Sequence, residues 1–227
     1  MSIQDNLKQI RRGIETACAR VHREPAEVRI LGACKGQPAE RIRAAVEAGV
    51  DLMGENRFQE AEEHQPALEG LDIEWHFIGK LQKNKINRIL NRFHMIQTVD
   101  GVKTMEHIHK RVDEVRDVFL ELNLGEEDSK SGFTADGLLK AVHYMAQLNR
   151  VRVTGLMCIP PFSEDPEESR PWFQRLHGIR EELNALEIPN FHVLHLSMGM
   201  SNDYEVAVEE GATIVRVGSA LFGRRSR

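Results

Sequence analysis

A single lysine follows the first apolar run of the chain. Residues 29–38 read Arg-Ile-Leu-Gly-Ala-Cys-Lys-Gly-Gln-Pro, and the run led by Ile30 and Leu31 predicts a buried strand that ends at Lys35. Lysine is rarely buried unless it is paired or functional. In an apolar setting it can lose its proton and attack a carbonyl carbon. Lys35 is therefore a candidate for Schiff-base formation; the alternative is an ordinary lysine that extends from a strand end into solvent.

Two segments near the carboxyl end of the chain could bind an anion. Residues 197–201 read Ser-Met-Gly-Met-Ser, and Gly218 and Ser219 precede a short helical turn. Gly199 permits a close backbone approach, and Ser201 can cap the next helix while neighbouring N–H groups face an anion. The alternative is two capped helix starts with flexible glycines. Because the segments follow adjacent strands, together they predict a phosphate site.

An alternation of short apolar strands and helices positions these residues. Helical spacing of Leu7, Ile10, Ile14, Ala17 and Val21 predicts a first helix over residues 3–22. Eight strands are predicted at residues 28–34, 49–53, 73–78, 95–99, 117–124, 151–159, 193–196 and 213–217. Intervening helices are predicted at residues 38–47, 57–68, 81–91, 101–111, 134–148, 166–186 and 202–210.

Eight strand–helix units in 227 residues predict a closed (β/α)8 TIM barrel with an extra N-terminal helix. We expect residues 1–227 to form one domain, because no Gly/Ser/Pro-rich linker divides the chain. An open, doubly wound sheet is the competing arrangement. Such a sheet normally carries a GxGxxG turn after its first strand, and that turn is missing from this sequence.

Composition argues against several classes of function. A net charge of −5 provides no basic field for nucleic acid, and no apolar run approaches membrane-spanning length. Cys18, Cys34 and Cys158 lack CxxC spacing and are predicted to be reduced intracellular thiols. The first residues predict a polar helix instead of a signal peptide, so we expect a cytoplasmic protein. The histidine spacing fits no metal site.

In a barrel, the functional site lies at the carboxyl ends of the strands. Applied to the predicted strands, this rule selects a set of polar residues whose types fit a small anionic ligand. The main members are Lys35, Glu55, Asn56, His76, Ser201, Arg216 and Ser219.

A barrel with a Schiff-base lysine on its first strand and a phosphate site at its last strands resembles the pyridoxal-phosphate barrels. More closely, residues 5–223 resemble the YggS/PROSC family of pyridoxal-phosphate homeostasis proteins, related to the N-terminal domain of alanine racemase. The segments that carry the resemblance are Cys34-Lys35, Gly54-Glu55-Asn56, residues 75–85, Ser129-Lys130-Ser131-Gly132, Gly155-Leu156-Met157, residues 196–201 and residues 215–223.

The resemblance implies a role for each matching position. Lys35 would hold the vitamin B6 cofactor pyridoxal 5′-phosphate (PLP) as a Schiff base, and Arg216 would approach the pyridine nitrogen. The phosphate would be bound by Ser201, Gly218 and Ser219, with backbone from Met200. Asn56 and His76 would lie close to the cofactor ring, and Met157 and Met198 would pack beside it.

One departure from the family pattern lies next to Lys35. Members often carry a second lysine two residues further on, before the proline, whereas this chain reads Lys35-Gly36-Gln37-Pro38. Any contribution of that second lysine to transfer or release of PLP is therefore missing here.

The same resemblance favours binding over catalysis. An arginine cannot accept a proton from the pyridine ring, so it weakens the ring as an electron sink. The related alanine racemases take a second base, a tyrosine, from an added β-domain, whereas the tyrosines here, Tyr144 and Tyr204, lie within predicted helices. We therefore expect a monomeric protein of PLP homeostasis without evident turnover, with PLP-dependent apoenzymes as recipients.

Two alternatives stay open from the sequence. The first is a PLP-dependent amino-acid racemase or lyase of low activity that uses Lys35 as its base. The second is a barrel enzyme without PLP, in which Lys35 forms a Schiff base directly with a sugar phosphate.

Overall fold

Eight parallel strands form a closed barrel in which each strand pairs with its neighbours in chain order and the last pairs with the first. The structure is a computed structural model that describes residues 2–127 and 130–223. The strands are β1 (Arg29–Ala33), β2 (Leu52–Glu55), β3 (Glu74–Phe77), β4 (Met95–Val99), β5 (Arg116–Leu122), β6 (Val151–Cys158), β7 (Phe191–Ser197) and β8 (Ile214–Val217). The predicted barrel with an additional N-terminal helix is confirmed.

Helices surround the barrel and cover its outer face. They are α1 (Ile3–Arg20), α2 (Ala39–Glu47), α3 (Phe58–Ala67), α4 (Ile86–Leu90), α5 (Val102–His109), α6 (Ala135–Met145), α7 (Arg170–Ala185), α8 (Tyr204–Glu209) and α9 (Ser219–Phe222). In α7 the buried residues are Phe173, Leu176, Ile179 and Leu183, a spacing that places them on one face against the strands. Among the described residues, no helix has the length and apolar character needed to cross a membrane.

The N-terminal helix α1 lies outside the eight repeats and packs against α8 and α9. It begins with a capping box, in which Ser2 Oγ accepts from the Asp5 N–H and the Asp5 carboxylate accepts from the Ser2 N–H. Its predicted inward residues Leu7, Ile10, Ile14 and Ala17 are buried. The prediction for Val21 was wrong: α1 ends at Arg20, and Val21 is 37% exposed.

The apolar residues of the strands divide between the interior of the barrel and the layer between barrel and helices. The interior group consists of Leu31, Leu52, Ile78, Phe119 and Ile214. Trp75 and Phe77 on β3 belong to the layer under the helices, so the intervening His76 points into the barrel. Cys34 also lies in the outer layer.

Among the elements whose bounds differ from the sequence-based expectation are β2 and the third predicted helix. β2 covers Leu52–Glu55 instead of residues 49–53, because Gly49, with a φ of 97°, belongs to the turn that ends α2. The predicted third helix is divided into a 3-10 turn at Lys83–Lys85 and the short α4. Its first residues are polar, and no side chain caps them. The shift of β2 matters for the site because it brings Glu55 into the strand.

Candidate functional site

A cavity of about 500 Å³ opens at the carboxyl ends of the strands, where a barrel of this type carries its site. The loops after β1, β2, β6, β7 and β8 all contribute to its walls. Seven of the ten residues predicted for cofactor binding line it, namely Lys35, Asn56, Met200, Ser201, Arg216, Gly218 and Ser219. These seven residues bring an amine, two serine hydroxyls and a guanidinium to one space.

Lys35 lies in a tight turn directly after β1. The Gln37 N–H donates to the Cys34 carbonyl over 2.8 Å, and Gly36 has a φ of 65°, which favours glycine. Lys35 is exposed, as in the alternative of a lysine that extends into solvent, whereas the Schiff-base interpretation assumed an apolar setting. The difference arises because β1 ends at Ala33, so Lys35 extends from the turn above the strand instead of from the interior of the barrel.

Side chains of α3 and β2 hold this turn from behind. Glu60 Oε2 accepts the Gly36 N–H over 3.1 Å, and His64 is hydrogen bonded to the backbone of Gln37. His64 Nδ1 also pairs with Glu55 Oε1 over 2.6 Å, and this bond raises the pKa of His64. Glu55 is fully buried, and burial raises its pKa. Glu55 therefore supports the Lys35 turn through His64.

The loops after β7 and β8 are joined by the hydroxyl of Ser201. Its Oγ accepts from the Gly218 N–H over 3.2 Å and from the Ala220 N–H over 3.0 Å. The sequence predicted that Ser201 caps the helix after β7, but that helix, α8, begins later, at Tyr204. Ser201 instead organises the start of α9, which places Ser201 and Ser219 on the same side of the cavity.

Asp203 is a residue of the site that sequence analysis did not identify. It is buried, accepts from the Met200 N–H over 2.6 Å and accepts from Ser169 Oγ over 2.9 Å. The Met200 N–H, predicted to face the phosphate, is thus engaged by Asp203. An aspartate directly before a helix is a recognisable turn signal, but its partner Ser169 lies far away in the sequence.

Gly199 packs against α8, on the side of its loop that faces away from the cavity. Its φ is 87°, and a Cβ atom there would lie 2.5 Å from the Ala207 Cβ and 3.0 Å from the Tyr204 Cα. Any side chain at this position would push the β7–α8 loop away from α8. The close approach that the sequence predicted at Gly199 is therefore made to a helix.

Arg216 is buried at the base of the cavity, with 5% of its surface exposed. Its Nη1 donates to the carbonyl and the hydroxyl of Ser197 over 2.6 and 2.9 Å, and its Nη2 donates to the Cys158 carbonyl over 2.9 Å. Burial lowers the pKa of this arginine, yet a guanidinium in a protein stays protonated. The site therefore has a fixed cationic donor at its base.

Three residues predicted near the cofactor do not line this cavity. His76 is buried in the interior of the barrel, between Glu74 and Gln97. Met198 belongs to the layer between barrel and helices, and Met157 is buried on β6. His76 lies below the mouth of the barrel because β3 continues to Phe77, and the residues after Phe77 form the rim.

A second, smaller cavity of about 220 Å³ adjoins the first through Asn56, Lys130 and Ile159. Lys130 Nζ donates to Glu127 Oε1 over 2.5 Å and to the Pro160 carbonyl over 3.2 Å, so it connects two loops at the mouth. Ser129, from the Ser-Lys-Ser-Gly segment, lies outside the described residues. Among those described, no group of three or more His, Cys, Asp or Glu side chains could hold a metal.

Glu121 on β5 faces the smaller cavity and is the second residue that sequence analysis missed. Burial, and next the negative charge of Asp100, raise its pKa from 4.5 to about 7, whereas Arg216 and Lys80 oppose the rise. Glu121 lies on the same face of β5 as Phe119, which is in the barrel interior, and the closed barrel brings Asp100 near it.

We expect Glu121 to make the folded state less stable as pH rises from about 4.5 to 7. The unfolded chain releases this proton near pH 4.5 and the folded chain only near 7, so over that range the unfolded state is favoured. The loss should be about 2 kcal/mol after allowing for partial solvent access. Urea unfolding across this range should show it in the wild type and not in Glu121→Gln. Equal pH profiles for both would contradict the assignment.

The three cysteines should be inert in the folded protein. All are buried, and burial raises the pKa of Cys158 to about 12 and that of Cys34 well above 9, where the Glu55 charge adds to the rise. Because the thiolate is the reactive form, an aromatic disulfide reagent at about pH 8 should modify none of them in minutes and all three in urea. Rapid modification of Cys34 without urea would show that the Lys35 turn opens.

Comparison with known proteins gives a consistent family assignment. The family model for the N-terminal domain of alanine racemase matches residues 3–226. The pyridoxal phosphate homeostasis protein of Aquifex aeolicus is 42% identical over 228 residues, which cover 99% of each chain.

Solved structures agree with that assignment. PipY, the COG0325 family member of Synechococcus elongatus, superposes with a TM-score of 0.86 without PLP (33% identity) and 0.84 with PLP bound (31%), in both cases over 98% of this chain and 100% of PipY. Alanine racemase of Clostridium difficile shares the fold at 17% identity, with a TM-score of 0.71 over 98% of this chain and 58% of the racemase. The chain belongs to the alanine racemase N-terminal domain family and, within it, to the pyridoxal phosphate homeostasis proteins.

Proposed function

We propose that this chain binds PLP as a Schiff base on Lys35 and acts in PLP homeostasis without turning over a substrate. The observation that carries the proposal is the convergence of Lys35, the Ser201 and Ser219 hydroxyls and Arg216 on one cavity of about 500 Å³. PLP carries an aldehyde that needs an amine, a phosphate that needs neutral or positive hydrogen-bond donors, and a ring nitrogen that needs a fixed polar partner. The cavity supplies a group for each. The relative PipY is known with PLP bound.

The residues divide the work along the cavity. Lys35 Nζ would attack the aldehyde carbon, and the loss of water would leave a carbon–nitrogen double bond. Ser201 and Ser219, at the loops after β7 and β8, would receive the phosphate at the position where barrels of this type often bind one. Asn56 and Met200 would line the space between the two ends.

Arg216 is the residue that argues against strong catalysis. When bound, PLP supplies an electron sink whose strength depends on protonation of its ring nitrogen. A guanidinium cannot accept a proton, and the buried Arg216 is held in place by three hydrogen bonds. A ring nitrogen facing Arg216 would stay unprotonated, which weakens the stabilisation of a carbanion.

Neither tyrosine of the chain can serve as a second base in the described cavity. Tyr144 lies on α6, is 48% exposed and donates to Glu106 Oε1 over 2.5 Å. Tyr204 begins α8 and contacts Glu205. Both are absent from the residues that line the Lys35 cavity. This geometry supports a holding role for the protein.

The alternative, a racemase or lyase of low activity, has one observation in its favour. Glu121 faces the adjoining cavity, and its pKa of about 7 is suited to proton transfer near neutrality. Asn56 borders both cavities, so a ligand in one would lie near the other. The turnover assay described below separates the two functions.

We also propose that residues 1–227 act as one domain, a cytoplasmic monomer that passes PLP to apoenzymes. The exposure of Lys35 supports transfer, because an incoming amine could reach it from solvent. The position of the missing second lysine is occupied by Gln37, whose backbone is held by His64. Release would then depend on the Lys35 turn itself.

The proposal is tested by adding PLP to the cofactor-free protein. Equilibrium dialysis should give one PLP per chain, and the bound cofactor should absorb in the visible differently from free PLP. Purified holoprotein incubated with each of the common amino acids, in both enantiomers, should leave them unchanged by chiral chromatography. Failure to take up PLP would overturn the proposal and favour a sugar-phosphate enzyme, and catalytic turnover would overturn the homeostasis role in favour of the racemase or lyase.

A further inference from the structure

The interior of the barrel contains a line of buried polar side chains that PLP binding at the mouth does not by itself explain. His76, Gln97 and Ser197 are each at most 1% exposed and come from β3, β4 and β7. Burying polar groups is costly unless they are hydrogen bonded. Each of the three has partners, and the partners connect them into one chain.

The upper part of this chain begins at the cavity. Arg216 Nη1 donates to Ser197 Oγ over 2.9 Å, and Ser197 Oγ in turn donates to Gln97 Oε1 over 2.6 Å. Because the amide oxygen of Gln97 accepts from Ser197, its Nε2 is the donor to His76 Nδ1 over 2.7 Å. The proton on His76 is thereby placed on Nε2.

The lower part of the chain ends on a carboxylate at the opposite face of the barrel. His76 Nε2 donates to Glu74 Oε1 over 2.9 Å, and Glu74 Oε2 accepts from Arg29 Nη2 over 2.8 Å. The hydrogen bond from His76 lowers the pKa of Glu74 to about 2, and burial lowers the pKa of His76. Near neutral pH, Glu74 is therefore an anion and His76 a neutral imidazole.

Every donor between Arg216 and Glu74 points in the same direction. The guanidinium lies at one end of four hydrogen bonds and the carboxylate at the other, so the chain is polarised from a cation to an anion. Hydrogen bonds aligned in this way reinforce one another in a medium of low dielectric constant. Substitution of Gln97 in the middle of the chain, or of Glu74 at its anionic end, should therefore change the environment of the Arg216 guanidinium.

We propose that Gln97 and Glu74 are positioning residues for Arg216, acting through Ser197 and His76 to fix the guanidinium at the base of the cofactor cavity. The consequence for PLP rests on the proposed function, in which Arg216 faces the ring nitrogen. If these buried residues served only to fill space, an isosteric substitution that breaks the hydrogen-bond chain would leave Arg216 unaffected.

Two variants interrupt the chain, and the structure offers a matched control. Gln97→Met keeps the shape of the side chain and removes both of its hydrogen bonds, whereas Glu74→Gln removes the negative charge. Asp51→Asn is the control, because Asp51 Oδ2 accepts from the same Arg29 Nη2 atom over 2.8 Å but lies outside the chain. Thermal unfolding establishes that each variant folds.

The first readout uses the protein without cofactor. Nitrogen-15 NMR should show His76 neutral and protonated on Nε2, and the guanidinium signals of Arg216, assigned with Arg216→Lys, should shift in Gln97→Met and Glu74→Gln but not in Asp51→Asn. Unchanged Arg216 signals in both chain variants would overturn the proposal. This outcome is independent of whether the protein binds PLP.

The second readout uses PLP titration. Gln97→Met and Glu74→Gln should bind PLP roughly tenfold more weakly and show an altered pH dependence of the absorption band, as expected for loss of one hydrogen bond to a charged group. Asp51→Asn should stay within about twofold of the wild type. Wild-type affinity and an unaltered band in both chain variants would contradict the positioning role, whereas failure of the wild type to bind PLP would count against the proposed function alone.

Discussion

Replacement of Lys35 by alanine is expected to abolish the visible absorption of the protein with PLP and to weaken PLP binding by roughly 100-fold, or about 2.7 kcal/mol. Lys35 is the amine that lies in the turn after β1 and lines the cavity with Ser201 and Arg216. Without it, the phosphate and ring contacts remain but no covalent bond can form. Titration with PLP, followed by absorbance and by equilibrium dialysis, measures both effects.

Lys130 provides the matched control for this prediction. It lines the same cavity, but its Nζ is held by Glu127 and by the carbonyls of Ile159 and Pro160. Lys130→Ala should therefore keep the absorption band and change PLP affinity by only a few fold, because a partly exposed ion pair contributes little. If the absorption band survived in Lys35→Ala and were lost in Lys130→Ala, PLP would be attached to Lys130 and the assignment to Lys35 would be wrong.

The second large effect is expected from Gly79→Ala. A Cβ atom on Gly79 would lie 1.9 Å from the carbonyl oxygen of Asn56 and 2.6 Å from its carbon, both backbone atoms that cannot rotate away. The carboxyl ends of β2 and β3 would have to separate, and Asn56 would leave its place at the cavity. We expect a loss of about 3 kcal/mol in the free energy of unfolding, measured by urea denaturation.

A glycine in a helix serves as the control for this substitution. Gly178 lies within α7, and a Cβ atom there would meet no atom within 4 Å. Gly178→Ala should raise the free energy of unfolding by up to about 1 kcal/mol, because alanine favours the helix. If Gly79→Ala were as stable as the wild type and bound PLP equally well, the close packing of Gly79 against the Asn56 backbone would be wrong.

Much of the fold could be predicted from the sequence because each strand is a short apolar run between amphipathic helices. β4, at Met95–Val99, was predicted with its observed bounds. The predicted start of β2 was wrong because Gly49 could equally start a strand or end a turn. Residue propensity does not distinguish a strand from a turn at Gly49. The pairing of Gly54 with His76 on β3 fixes the position of β2 in the sheet.

The site was predicted where the rule for strand ends applies and missed where distant residues decide. Lys35 and Asn56 follow their strands, Arg216 is the last residue but one of β8, and all three line the cavity. His76 was placed too high because its position depends on the register of β3 and on Gln97, 21 residues away. Long-range hydrogen bonds of this kind leave no local signal in the sequence.

Asp203 and Glu121 show two further limits of reading a sequence locally. Asp203 looks like an ordinary residue before a helix, and its importance emerges only from the hydrogen bonds to Met200 and Ser169. Glu121 lies between two leucines near the end of β5, and its raised pKa requires both burial and the proximity of Asp100. Both are properties of the closed barrel.

The central claim is that PLP attaches to Lys35, and chemical reduction tests it most directly. Borohydride treatment of the protein with bound PLP should convert the carbon–nitrogen double bond to a stable secondary amine. Proteolysis and mass spectrometry should then find the pyridoxyl group on the peptide that contains Lys35, at close to one per chain. A group found on Lys80 or Lys130 instead, or spread over many surface lysines, would contradict the account.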